Sequence, residues 1–212
     1  MAGIRAINIS KSFGQYNVFS DVTMEFTQGG IHGIIGRNGS GKTVLLKVIS
    51  GFIPPDKGKV LYDNIEIYKS VDFPLKTGVI IESPGFLPNA SGFQNLHLLA
   101  AINNECGLED IENSMNAVGL DYESKKGVSK YSLGMKQRLG IAQAIMGNPD
   151  YIILDEPFNG LDNSGVRDMR NLLMKLRDQG KTIVLASHNT EDIRILCNTI
   201  SQIENSTITR LE

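Results

Sequence analysis

Apolar and polar positions alternate in short runs through the first third of the chain, in IRAINIS, VFSDVTMEF, IHGIIG and KVLYDNIEIY, punctuated by glycine and aspartate. A period of two with tight connections predicts strands of a sheet. After Gly41 the period changes. In KTVLLKVISGF the apolar residues recur at helical spacing, and Gly51, with Pro54 and Pro55 just beyond, ends the helix sharply. GVIIES at 78–83 reads as another short strand. From Pro84 to about Pro149 the pattern is helical throughout, in NLHLLAAINN, LEDIENSMNAV and SLGMKQRLGIAQAIMG, so a helical insert is expected there. YIILDEP is then a continuous apolar run ending in two acids, GVRDMRNLLMKLRDQG is an amphipathic helix, and TIVLASH is a second buried strand. Strands alternating with helices predict an α/β core with parallel strands.

Composition narrows this picture by exclusion. With 212 residues, 41% of them hydrophobic, the chain can bury one substantial core with an inserted subdomain. The formal net charge of -2 gives no global basic field that would gather nucleic acid or anionic lipid, so any anion must be bound by local geometry. Cys106 and Cys197 lie far apart and outside any CxxC or Cys/His cluster, which leaves reduced, buried thiols. No apolar run approaches the roughly 18 residues of a membrane span. The expected class is soluble and cytosolic, with any membrane role exercised through a partner.

The segment Gly36-Arg37-Asn38-Gly39-Ser40-Gly41-Lys42-Thr43 is GxxxxGKT, set between the apolar strand IHGII and the helix KTVLLKVIS. Glycines let such a loop curl until its backbone N–H groups converge on phosphate oxygens, and the helix N-terminus adds the positive end of its dipole. Lys42 is expected on the β/γ-phosphates and the Thr43 hydroxyl on Mg²⁺. At the carboxyl end of YIILDEP, where parallel sheets place their ligands, stand Asp155 and Glu156. Neighbouring strand residues face opposite ways, so the two have different tasks: Asp155 toward Mg²⁺, Glu156 toward the attacking water. His188 ends TIVLASH. A lone histidine there is more often structural, but its place after the acids suits holding the γ-phosphate and the water-activating group in register.

With GRNGSGKT, YSLGM, LDEP and the terminal histidine in this order, the chain resembles the ATP-binding cassette family of transporter nucleotide-binding domains over nearly its whole length. The resemblance implies one domain: a RecA-like P-loop core (1–83 and 149–212) with a mainly parallel sheet, an N-terminal antiparallel β-subdomain, and a helical signature subdomain at 84–148. It implies that Phe13, in KSFG, stacks on adenine, against the plainer reading of a core phenylalanine beside a turn. It implies that Asp162, in NGLD, communicates between paired domains, against that of an ordinary turn aspartate. The serine in KYSLGMKQR marks a helix start. By the resemblance that start, Ser132-Leu133-Gly134-Met135, completes the ATP site of an opposing copy, although the family commonly reads LSGGQ where this chain has YSLGM. A second departure is Glu82, which stands where the family usually has a glutamine contacting Mg²⁺. A carboxylate ligates Mg²⁺ at least as well, so Thr43, Asp155 and Glu82 are the expected metal contacts.

The function implied is an ATPase, with ATP and Mg²⁺ as cofactors, that sits on the cytoplasmic face of the cell membrane. Its partners are a separate transmembrane permease chain and a second ATP-binding domain, identical or paired; no nucleic acid is expected. IESPGF and YSLGMKQRLGIAQAI look like the bacterial export subfamily that handles bacitracin-type antibiotics, lantibiotics or related lipophilic cargo. The rival is a soluble non-transport cassette working on ribosomes, DNA or cluster assembly, disfavoured by the single cassette and the absence of a basic patch. A binding-only cassette is disfavoured because Lys42, Glu156 and His188 are all present.

Overall fold

The computed structural model describes residues 3–82, 84–103 and 106–211. It begins with a hairpin of β1 (Gly3–Phe13) and β2 (Tyr16–Thr27), whose register sets Phe13 opposite Tyr16 at the turn. Together with β4 (Lys57–Tyr62) and β5 (Ile65–Glu66) these form an antiparallel sheet in the order β2-β1-β4-β5. The run KVLYDNIEIY is therefore two strands. It breaks at Asp63 and Asn64, both at positive φ (49° and 74°), as a tight hairpin turn requires.

The second sheet contains β3 (Ile31–Ile35), β6 (Thr77–Ile80), β7 (Tyr151–Asp155), β8 (Thr182–Ser187), β9 (Thr199–Glu204) and β10 (Thr207–Arg210), in the order β10-β9-β3-β8-β7-β6. All pairings are parallel except β9 with β10. The strand expected at 78–83 ends at Ile80, and Ser83 lies outside the described residues, as do the domain edges at 1 and 212. Between β6 and β7 come α2 (Gly92–Asn103), α3 (Leu108–Ala117), a 3-10 turn (Val128–Lys130) and α4 (Leu133–Ile145). Helix α1 (Lys42–Ile49) follows β3, α5 (Asn163–Asp178) follows β7, and α6 (Thr190–Leu196) follows β8. No helix among the described residues is long and apolar enough to cross a membrane.

The parallel sheet separates two cores. Tyr151, Ile153, Val184 and Ala186 face α1 and the antiparallel sheet, meeting Leu45 and Phe19. Ile152, Leu154, Ile183 and Leu185 face the helical side, meeting Leu139 and Leu172. Burying such a side chain stabilises the fold by about 1.5–3 kcal/mol. The period of two therefore fixes sidedness along β7, and Asp155, two residues after Ile153, is assigned to the α1 face. Register fixes depth. Ile35 pairs with Ser187, and Asp155 with Ala186, so the ends of β3, β8 and β7 open at one edge.

Candidate active site

The loop after β3 is shaped by its glycines. Gly41 sits at φ 105°, and a Cβ there would lie 2.7 Å from Val18 Cγ1, so a side chain is excluded both by conformation and by the wall of β2. Lys42 follows at the start of α1. Its ammonium is buried, donates to the carbonyls of Gly36 at 2.7 Å and Arg37 at 3.2 Å, and lies 3.8 Å from Glu156 Oε1. An ammonium has three protons and two go to these carbonyls, so one is left to meet a phosphate.

Asp155 meets α1 as its sidedness demands. Thr43 Oγ1 donates to Asp155 Oδ2 at 2.6 Å, while Oδ1 is buried with no hydrogen-bond partner. Burial pushes this carboxyl up; the Thr43 hydrogen bond and Lys42 oppose the shift, and the charges of Glu156 and Glu82 add to it. A buried oxygen left without a partner is a costly state. Paired with the Thr43 hydroxyl, it offers two adjacent hard oxygen donors, which fit a magnesium ion that takes its remaining ligands from water and phosphate.

Glu156 turns the other way. Its φ is 49°, its N–H donates to Ala186 O at 2.8 Å, and its carboxylate lies against the end of β8. Oε1 accepts from His188 N–H at 3.0 Å, and Oε2 accepts from Ser187 Oγ at 3.1 Å and from His188 Nδ1 at 2.9 Å. An ionised carboxylate can only accept, so Nδ1 carries the proton of that contact and Nε2 is left free of it. Gln137 Nε2, from α4, donates to Glu156 O at 3.3 Å. A cleft of about 280 Å³ runs from Lys42, Thr43, Asp155 and Glu156 to Phe13 and Tyr16 at the hairpin turn. The Phe13 ring is 53% exposed, available to a planar ligand, with Lys11 Nζ 5.6 Å from its centroid.

The signature residues stand elsewhere. Ser132 caps α4, its Oγ accepting from Met135 N–H at 3.2 Å, and none of residues 132–135 lines the cleft. Gly134 packs on the NGLD loop, where a Cβ would come within 2.9 Å of Gly160 O. Asp162 caps α5 through Gly165 N–H at 2.8 Å and also accepts from Ser164 Oγ at 2.9 Å; these hydrogen bonds hold its carboxyl below the usual range. Glu82, the third expected metal contact, has its carboxylate engaged by Lys47 Nζ at 2.7 Å. The sequence reading passed over Tyr16, Lys47, Gln137 and Ser187. Ser187 adjoins His188 and Lys47 lies one helical turn from Thr43, so both had local signals. Gln137 had none.

The family model described as ABC transporter matches residues 19–159. An uncharacterised ABC transporter ATP-binding protein of Bacillus subtilis is 40% identical over 92% of this chain and 89% of its own length. The bacitracin transport ATP-binding protein of Enterococcus faecalis is 39% identical over 93% of this chain, which spans 65% of that relative. The lantibiotic transport ATP-binding protein of Streptococcus pyogenes is 33% identical over 92% of this chain and 84% of its own length. Among solved structures, a dimeric bacterial ABC transporter cassette superposes with a TM-score of 0.86 at 23% identity, covering 99% of both chains.

Proposed function

The chain belongs to the ABC transporter family as an ATP-binding ATPase cassette, and from that premise we propose that it energises a transporter whose membrane-crossing part is a separate chain. The observation that carries the reading is the convergence of Lys42, Thr43, Asp155 and Glu156 on one cleft, with His188 behind the glutamate. The loop N–H groups and the α1 N-terminus receive the triphosphate, and Lys42 adds the ammonium proton that its two loop carbonyls leave over. Phe13 offers its ring to adenine. Thr43 and Asp155 would hold a magnesium ion, which supplies charge neutralisation at the phosphate oxygens.

Glu156 orients the attacking water. Ser187 and the His188 backbone fix its carboxylate, and the His188 ring bridges it to the γ-phosphate side. Phosphoryl transfer needs little covalent chemistry from the protein, so this positioning carries most of the rate enhancement. The cleft is open, and the N-terminus of α4 with Ser132 and Gly134 closes the corresponding site on a second cassette. ATP is then shared between two chains, and its hydrolysis releases them.

The names of the bacitracin and lantibiotic transport relatives support transport of a peptide antibiotic; export of that or similar lipophilic cargo, with this chain on the cytoplasmic face of the membrane, is the direction we infer. Purification of the tagged chain from native membranes tests the partner. A stably bound multi-span protein is expected; ribosomes or DNA in its place would overturn the transport reading.

A further inference from the structure

We propose that Lys47 is a positioning residue of the nucleotide site: by holding Glu82 in an ion pair, it keeps a third carboxylate from setting its charge against the incoming triphosphate. This rests on the ATP-binding reading above. Lys47 lies four residues beyond Thr43 on α1 and so shares its face, one turn further along. Glu82 arrives from the neighbouring strand. Ile80 of β6 pairs with Leu154 of β7, so two residues later Glu82 leaves the same sheet edge as Glu156. It does so at φ 62°, in the left-handed region that non-glycine residues rarely adopt, and its carboxylate meets Lys47 Nζ at 2.7 Å.

Three acids, Asp155, Glu156 and Glu82, thus leave adjacent strand ends, and α1 faces them with Lys42 and Lys47. Against Lys42 alone the carboxylates would leave two negative charges in excess; Lys47 removes one. Glu82 is not remote from the site, since it follows the strand paired with the one that ends in Asp155. Nor is the pair a structural brace. Lys47 is 29% and Glu82 64% exposed, and ion pairs so open to water add little to stability. The consequence of the pairing falls on the anion that binds next to it.

The test is ATP affinity by titration calorimetry on the full chain, in EDTA and again with Mg²⁺, at low salt where screening is weak. Lys47→Met is expected to weaken ATP binding about threefold to fivefold with an unchanged Tm. Glu82→Gln is expected not to weaken it, the double variant to return to wild-type affinity, and Lys47→Arg to retain it. A double variant as weak as Lys47→Met would show that Lys47 acts on phosphate directly and would overturn the proposal, as would a Lys47→Met chain of wild-type affinity. If the wild-type chain bound ATP no better than Lys42→Ala, the nucleotide reading itself would fall.

Discussion

Replacing Glu156 by Gln exchanges one acceptor oxygen for an amide donor on a side chain that accepts from three groups. The contacts can be followed singly. His188 N–H, 3.0 Å from Oε1, keeps its acceptor if the amide oxygen takes that place. The amide nitrogen then stands at the Oε2 position, facing Ser187 Oγ, which can accept, and His188 Nδ1, which can accept once its proton moves to Nε2. All three contacts survive through one tautomer change, so the fold should lose no more than about 1 kcal/mol. Turnover is another matter. Loss of a positioned carboxylate base removes about 10²–10⁴-fold, or about 3–5 kcal/mol of transition-state stabilisation. Lys42 also loses an anionic neighbour at 3.8 Å, which favours phosphate. The variant should bind ATP at least as tightly as wild type, release phosphate very slowly, and accumulate as an ATP-bound dimer in light scattering, with a melting point lowered by no more than about 4 °C. A variant that turned over within about threefold of wild type, or stayed monomeric at saturating ATP, would contradict the assignment of Glu156 and the shared-nucleotide mechanism together.

A Cβ on Gly78 would lie 1.6 Å from the Ala144 carbonyl oxygen, so Gly78→Ala must part β6 from α4; a loss of about 3 kcal/mol or more is expected in urea unfolding, and an unchanged midpoint would refute that packing. The Tyr62 hydroxyl donates to Ile49 O at 2.8 Å inside the core, so Tyr62→Phe should cost about 1–2 kcal/mol through the carbonyl left unsatisfied, while the edge-on ring contact with Tyr151 at 5.0 Å persists. His32 is buried, with Nε2–H donating to Thr27 O at 2.8 Å and Nδ1 accepting from Thr199 Oγ1 at 2.8 Å. Burial lowers its pKa from 6.5, so its contribution to stability is full above 6.5 and falls as pH drops below that value; His32→Gln should remove this part of the slope in unfolding free energy between pH 7 and 5, and equal slopes would refute it.

The parts of the site visible in sequence are those fixed by neighbouring residues. GxxxxGKT specifies its own backbone, because the glycines, the lysine and the helix that follows are all local. Asp155, Glu156 and His188 are visible because each ends an apolar run. Contacts set by strand register are not: Lys47 meets Glu82 across 35 residues, and Gln137 reaches Glu156 only after α4 has packed on the sheet. The same distinction holds for the fold. The DN pair inside KVLYDNIEIY was a turn signal, but the alternation on both sides of it reads as one strand. Helix α6 has seven residues, and ISQIE and TITR are short and polar enough that only pairing with β3 and with each other defines them.

The signature segment shows how a departure from a family pattern can be absorbed within the chain. Leu133 replaces a glycine at the helix start, and its side chain lies over Gly160, where a Cβ would sit 2.5 Å from Leu133 Cγ. Gly134 packs on the same residue, and a Cβ added to it would lie 2.9 Å from the Gly160 carbonyl oxygen. Met135 packs against the helical core and gives its N–H to Ser132. Leu133 seats the start of α4 on the loop that leads into Asp162 and α5. A change at Leu133 or Gly160 should therefore be read first as a change in that joint, and only through it as a change in how a second cassette is met.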